Sequence, residues 1–289
     1  MPANDELRQF LRTRRGRVDP ADVGLPPGDG PRRVPGLRRE ELARLAGVSV
    51  DYYVRLEQGR ATGASEDVLD AVARALQLDD DERTHLFDLA RPTRTRRKAR
   101  TARPQRVRPG VLVLLENLPT PAFVLGRRLD VLATNRMARA LLCDFDARPV
   151  KDRNHARWVF LDPAARELYV DWEAIARDNV ANLRMDAGRH PDDPELSALV
   201  GELSVKSPEF AGWWADHDVL RRTHGTKRYH HPIVGEMTVG YEALPLPDDP
   251  EQTLFVYTVE PRSTSAQAME LLASWTLETS AEAQDRQET

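Results

Sequence analysis

Residues 37–60, LRREELARLAGVSVDYYVRLEQGR, constrain this chain more than any other stretch. Leu42, Leu45 and Ala46 stand at i, i+3 and i+4, the apolar stripe of a short helix. Gly47 follows, a residue free to take the positive φ that ends a helix and turns the chain. Ser49 then suits the N-cap of a second helix, its hydroxyl accepting a backbone N–H of the first turn. In that helix Tyr53 and Leu56 fall three apart on one face, and Val50, Asp51, Val54, Arg55 and Gln58 fall on the others.

A short helix, a glycine turn and a second helix with an inner apolar edge make the helix-turn-helix pattern. In that pattern the second helix lies in the DNA major groove, with its N-terminal residues at base edges. Ser49, Val50, Asp51 and Arg55 then occupy the DNA-facing start of the helix, with Tyr52 beside them. Arg55 suits a bidentate pair with guanine O6/N7, Asp51 can accept from cytosine N4, and Val50 offers only an apolar surface to a thymine methyl. Arg38, Arg39 and Arg60 are placed for phosphates. Arg32 and Arg33 are too, within the Pro- and Gly-rich segment 16–36 that precedes the motif. Tyr53 is expected in the core, and Glu57 to pair with Arg44 or Arg55.

This stretch resembles the helix-turn-helix of the lambda-repressor/XRE class, the trailing Leu56-Glu57-Gln58-Gly59-Arg60 included. The longer wording VPGLRREELARLAGVSVDYYVRLEQGR is similar, more narrowly, to bacterial regulators that carry an MmyB-like C-terminal ligand-binding domain. Segment 16–36 exceeds the matching connection of phage repressors, an insertion familiar from the MmyB-like group.

The charge distribution agrees with DNA binding by one half only. Residues 1–108 carry a net +6 and residues 109–289 a net −10, which sum to the overall −4; the basic half suits a polyanion and the acidic half does not. At 289 residues and about 150 residues per domain, two domains are expected. No apolar run approaches the ~18–20 residues of a membrane span. The N-terminus, MPANDELRQF, has no signal-peptide core. One cysteine, Cys143, excludes an internal disulfide framework and fits a reducing cytoplasm; it is expected as a small buried apolar residue.

In chain order, helices are expected over 5–15, the two motif helices, 65–78 and 80–90, giving an all-α DNA-binding domain over 1–91. Residues 91–110 hold nine Lys and Arg and no acid, with prolines at 92, 104 and 109. The span 92–110 is therefore a basic linker with attraction for phosphate. From 111 the character changes. A short apolar helix over 111–118 leads to strands at 121–126 and 129–133 around a Gly126-Arg127-Arg128 turn. Helices follow over 135–143, from Pro163, over 172–187, 194–205 and 207–217, with 158–161 either a strand or the start of a helix. Strands at 227–234, 236–244 and 252–260 and a helix over 265–277 complete a domain of 111–277, and 278–289 is expected as a disordered tail.

Two strands, a block of helices and three strands describe a five-stranded antiparallel sheet with a helical insert. This is similar to the PAS-like α/β fold of the MmyB-like ligand-binding domain, as are AFVLGRRLDVLATN, SPEFAGWWADHDV and HPIVGEMTVGYEAL. The resemblance implies a small hydrophobic effector, with a fatty acid as the sharp candidate, and an apolar pocket with a few polar groups is what such a ligand needs. Trp158, Phe160, Tyr169, Trp172, Phe210, Trp213 and Trp214 are the pocket candidates. Asn135 and Arg136 after the second strand are polar handles, and Arg136, Arg221, Arg222 or His217 suit a charged end. His230 and His231, adjacent on a strand, point to opposite faces and cannot share a metal. No metal or cofactor is expected, although a flavin- or haem-bearing sensor is a further option.

The sequence reads as a cytoplasmic transcription regulator, dimeric on a two-fold operator because one helix reads too few base pairs. Two alternatives stay open. One makes the C-terminal domain a constitutive dimerisation scaffold. The other makes it an enzyme, against which stands the lack of a nucleophile elbow, Gly-rich phosphate loop or paired-carboxylate motif.

Overall fold

A computed structural model describes residues 3–25, 36–60, 63–90, 105–219 and 223–287. Arg32, Arg33, Arg221, Arg222 and residues 92–104 of the basic linker lie outside the described residues. Five helices come first: α1 (Ala3–Arg17), α2 (Arg39–Leu45), α3 (Val50–Glu57), α4 (Glu66–Ala75) and α5 (Asp80–Ala90). Then come α6 (Pro109–Asn117), β1 (Ala122–Leu125), β2 (Val131–Thr134), α7 (Arg136–Leu141), α8 (His155–Leu161) and α9 (Pro163–Leu168). The chain ends with α10 (Trp172–Arg189), α11 (Pro194–Lys206), α12 (Pro208–Ala215), β3 (His224–His231), β4 (Gly235–Leu246), β5 (Asp249–Thr258) and α13 (Thr264–Gln287). Among the described residues no helix is long and apolar enough to cross a membrane.

Two compact units form, neither continuous in sequence. One comprises Met1–Arg100, Val180–Ser204 and Ala211–Arg221; the other comprises Thr101–Asn179, Val205–Phe210 and Arg222–Thr289.

In the first unit, local chemistry sets the helix ends. Ser49 accepts from the Tyr52 N–H at 3.1 Å and Ser65 from the Val68 N–H at 3.3 Å, each filling an orphan donor of a first turn. Asp79 and Glu82 cap α5 reciprocally, each carboxylate accepting the other's backbone N–H. Gly47 takes φ +66° between α2 and α3, the conformation the turn requires. Segment 16–36, expected to be no single helix, holds a short 3-10 turn at Pro20–Val23 capped by Asp19. The core joins Phe10, Leu42, Tyr53, Leu56 and Leu86 with Met185 and Val219 of the later segments. Buried charge is paired here: Arg184 meets Glu6 at 2.5 Å and Arg14 meets Glu82 at 2.7 Å.

In the second unit the five strands form an antiparallel sheet, as expected, and their order is β2-β1-β5-β4-β3. Strand parity gives the sheet two distinct faces. Ala122, Val124, Leu246 and Leu254 face α6 and pack with Val111 and Leu115. Phe123, Phe255 and Tyr257 take the other face, their rings 5.2–5.7 Å apart. β3 alternates in the same way, with Tyr229 and His231 buried and Arg228 and His230 exposed.

Three expectations need revision. Residues 158–161, open between strand and helix, are the last part of helix α8, because Asn154 caps it by accepting from the Arg157 N–H at 3.0 Å. The turn after β1 is a 3-10 turn over Arg127–Leu129 in which Arg128 and Leu129 take positive φ. The backbone of 278–287 continues α13 rather than forming a disordered tail, since ETSAEAQDRQ holds no glycine or proline to stop a helix and is rich in Ala, Glu and Gln.

Asn135 holds the start of the sheet together. Its Oδ1 accepts from the N–H groups of Ala122 (3.0 Å) and Ala138 (2.8 Å), and its Nδ2 donates to the carbonyls of Thr120 (2.7 Å) and Leu118 (3.2 Å). Asn135→Ala strands two buried N–H groups, each costing about 1–3 kcal/mol. A loss of roughly 3 kcal/mol is expected in urea unfolding, with the midpoint lowered and the slope unchanged. An unchanged midpoint refutes the role.

Candidate nucleic-acid interface and effector site

The inner and outer faces of α3 are cleanly divided. Tyr53, Leu56 and Glu57 are buried, whereas Val50 (40% exposed), Asp51, Arg55 and Gln58 face solvent and Tyr52 is half-buried. Arg60, just past the helix, is exposed. The expected base-facing residues therefore share one open surface, and Ser49 is committed to the cap. Arg38 is exposed at the start of α2, its backbone N–H donating to Glu41 at 2.7 Å.

Glu57 departs from expectation. It pairs not with Arg44 or Arg55 but with Arg15 and Arg39. Arg39 forks onto it with Nε at 3.0 Å and Nη2 at 3.2 Å, and Arg15 Nη2 adds a bond of 3.1 Å. The reason is position: Glu57 follows Tyr53 by four residues and so shares its inner face, while Arg44 and Arg55 are exposed. That i, i+4 relation was the sequence signal. Arg39, expected at a phosphate, is held by this pair with its side chain half exposed. Arg15 also donates to the Leu37 carbonyl at 2.7 Å, so one ionic cluster joins α1, the approach to α2 and the end of α3.

The effector-site candidates are divided between the two units. Trp158 and Tyr169 are buried together with His155 on the aromatic face of the sheet. Phe160, Trp172 and Phe210 form a second edge-to-face set, with the Arg166 guanidinium 4.0 Å over Trp172. Trp213, Trp214 and His217 belong to the first unit, where Arg184 lies 3.7 Å over the Trp214 ring. Asn135 spends its donors and acceptor on backbone, and Arg136 is exposed. His217 does not suit a charged end: burial, aided by Arg184 and Arg14, lowers its pKa to about 3 and keeps it neutral. Cys143 is half-buried, and desolvation pushes its thiol up to about 12.

The sequence reading missed the strand contribution to the aromatic face. Tyr169 lies 5.1 Å from Tyr229, Tyr229 lies 6.2 Å from Tyr257, and Tyr257 lies 6.3 Å from Tyr241. The Lys227 ammonium sits 4.8 Å over Tyr241 and 5.5 Å over Tyr257, and donates to the Tyr257 hydroxyl at 3.2 Å. His155 completes the set. Its Nδ1 meets Asn179 Oδ1 at 2.8 Å, and because Asn179 Nδ2 donates to the Ile175 carbonyl, that oxygen is an acceptor. His155 therefore carries its proton on Nδ1 and offers Nε2 to the Tyr169 hydroxyl at 3.5 Å. Burial first, then Lys227, lowers its pKa to about 4 and keeps it neutral. Same-parity Tyr and Lys on β3, β4 and β5 were the available signal.

Glu57 yields a test. Burial would raise its carboxyl, but the hydrogen bonds from Arg39 and Arg15 outweigh burial and hold it below the usual range. Its stabilising effect is therefore present above the unfolded-state pKa and lost as pH falls through the folded one. Glu57→Ala leaves Arg15 and Arg39 uncompensated and is expected to cost roughly 3–5 kcal/mol at pH 7. The stability gap between the wild type and Glu57→Gln should close on acidification below about pH 4. A gap constant with pH in thermal melts contradicts the assignment.

Residues 107–272, more than half of the chain, match the family described as MmyB-like transcription regulator ligand binding domain. Residues 6–86 match a helix-turn-helix domain. Comparison with curated proteins finds no match. With a helix-turn-helix ahead of that ligand-binding domain, the chain belongs to the MmyB-like transcription regulators.

Proposed function

We propose that this regulator reads a two-fold operator as a homodimer in the cytoplasm, and that its C-terminal domain takes a small hydrophobic effector which changes operator affinity. The observation that carries the DNA half is the solvent-open face of α3, with Val50, Asp51 and Arg55 exposed above a buried Tyr53 and Leu56. For the effector half, support comes from the match to a ligand-binding family and from the buried aromatic face of the sheet. A fatty acid is one candidate of the right chemistry. The effector acts only through a difference in its affinity for the two DNA-binding states. The families matched are those of regulators and ligand-binding domains, and the proposal includes no catalytic step.

The test starts from an operator selected from random duplexes and titrated by fluorescence anisotropy. Arg55→Ala is expected to cost roughly 1–3 kcal/mol and to relax preference at one G·C position. Arg60→Ala should weaken all sequences alike and reduce the salt slope by about one. Equal affinity of Arg55→Ala and wild type for the selected site sinks the assignment of Arg55. The effector arm adds back each lipophile extracted from gently purified protein. Operator affinity indifferent to all of them leaves the C-terminal domain a scaffold.

A further inference from the structure

Helix α6 is apolar on every side and covered on only one. Its central run, Val111-Leu112-Val113-Leu114-Leu115, holds five apolar residues in succession. A helix that is hydrophobic all round is ordinarily buried all round. Val111 and Leu115 meet that expectation by packing on Ala122, Val124, Leu246 and Leu254 of the sheet. The residues between them do not: Leu112 is 38% exposed, Val113 60% and Leu114 49%. Single exposed valines such as Val150 and Val205 are ordinary, whereas three exposed apolar residues in succession form a patch. Leu244 adds to it. It is 48% exposed and stands opposite Leu254 in the β4–β5 ladder, on the side of the sheet that carries α6.

Opposite charges flank this patch. Glu116, near the end of α6, is exposed and pairs with no cation among the described residues. Arg106, just ahead of the helix, is exposed too, and its bond among the described residues is through the backbone carbonyl, which accepts from Gln252 Nε2 at 3.2 Å. A two-fold axis passing beside Val113 sets two such helices antiparallel. Val113 then meets its own copy, Leu112 meets the partner's Leu114, and Glu116 lies toward the partner's Arg106, twice over. The face is thus complementary to itself, as an isologous contact requires. Chain position favours the same occupant. Gln105 Oε1 accepts from the Arg127 N–H at 2.8 Å, and Arg108 pairs with Asp248 at 2.9 Å, so the segment entering α6 is fastened to the sheet. A contact along α6 therefore brings the chain ahead of both helices to one axis.

We propose that the outward face of α6, with Leu112, Val113 and Leu114, is the homodimer contact of this regulator, made antiparallel with the same face of a second copy. This rests on the reading of the protein as a homodimer on a two-fold operator and names the surface. Burial of the apolar faces supplies the affinity. The Glu116–Arg106 pairs at the rim fix orientation and register.

The test uses the full-length chain without DNA, followed by sedimentation equilibrium over a range of concentrations. Val113→Lys puts two ammonium groups at the axis and is expected to weaken dimerisation at least about tenfold. The melting temperature of the dilute monomer stays level, because residue 113 faces solvent there. Val205→Lys, on α11, is the control and associates like the wild type. Glu116→Arg and Arg106→Glu should each weaken their own homodimers, whereas a mixture of the two should form heterodimers above the statistical share in native mass spectrometry. Wild-type association of Val113→Lys, or statistical mixing of the charge variants, overturns the α6 contact and leaves the homodimer to another face. A wild type that stays monomeric without DNA at every concentration gives the patch to another occupant and overturns the contact. One that also binds the operator as a monomer overturns the homodimer reading with it. If Val113→Lys does not fold, the charge variants decide.

Discussion

Glu57 is buried at the end of α3, and a carboxylate in that position is tolerated only because Arg15 and Arg39 both donate to it. Desolvating one carboxylate costs several kcal/mol unless cations and hydrogen bonds compensate. The compensation comes from α1 and from the start of α2, so the pair is also a geometrical constraint. It ties the inner side of α3 to two other helices, and the outer side, with Val50, Asp51 and Arg55, is thereby presented to solvent. Tyr53 and Leu56 supply the apolar part of the same anchorage. A recognition surface of few residues needs this rigidity, because bidentate contacts to bases tolerate little misplacement.

In the sheet the equivalent constraint is parity. Alternate residues of β1 and β5 go to opposite faces, and both faces are covered. The α6 side is aliphatic: Val111 and Leu115 against Ala122, Val124 and Leu254. The other side is aromatic, with Phe123 stacked on Phe255 at 5.2 Å and Tyr241 edge-on to Tyr257 at 6.3 Å. Aromatic pairs of this kind contribute about 0.5–1.5 kcal/mol each beyond the area they bury. They also bring phenolic hydroxyls into the interior, where each must find a partner. The neutral His155, fixed in one tautomer by Asn179, serves Tyr169 in this way. Tyr229 meets Tyr169 and Tyr257 phenol to phenol.

The helix-turn-helix was legible because it is local: a glycine at the turn, a serine at the cap and apolar residues three and four apart act over a few residues. The same is true of the five strands, read from local alternation and turns, whereas their order in the sheet comes from the folded chain. The helix at 158–161 was ambiguous because four apolar residues fit either period; its cap, Asn154, lies upstream of the run and decides it. Residues 278–287 are polar enough to read as tail, yet nothing in them breaks a helix already begun.

From the sequence alone came the motif, the split of charge between the halves, the five strands and the family. Tertiary structure decided which residues of like chemistry meet. It paired Glu57 with Arg15 and Arg39 rather than with Arg44 or Arg55, placed Trp213, Trp214 and His217 in the first unit and Trp158 and Tyr169 in the second, and set Lys227 beside tyrosines from two other strands and from the residue after α9. The physical reason is range. Capping, turn geometry and periodicity are fixed by neighbours along the chain, whereas burial and ionic pairing depend on segments that only the folded chain brings together.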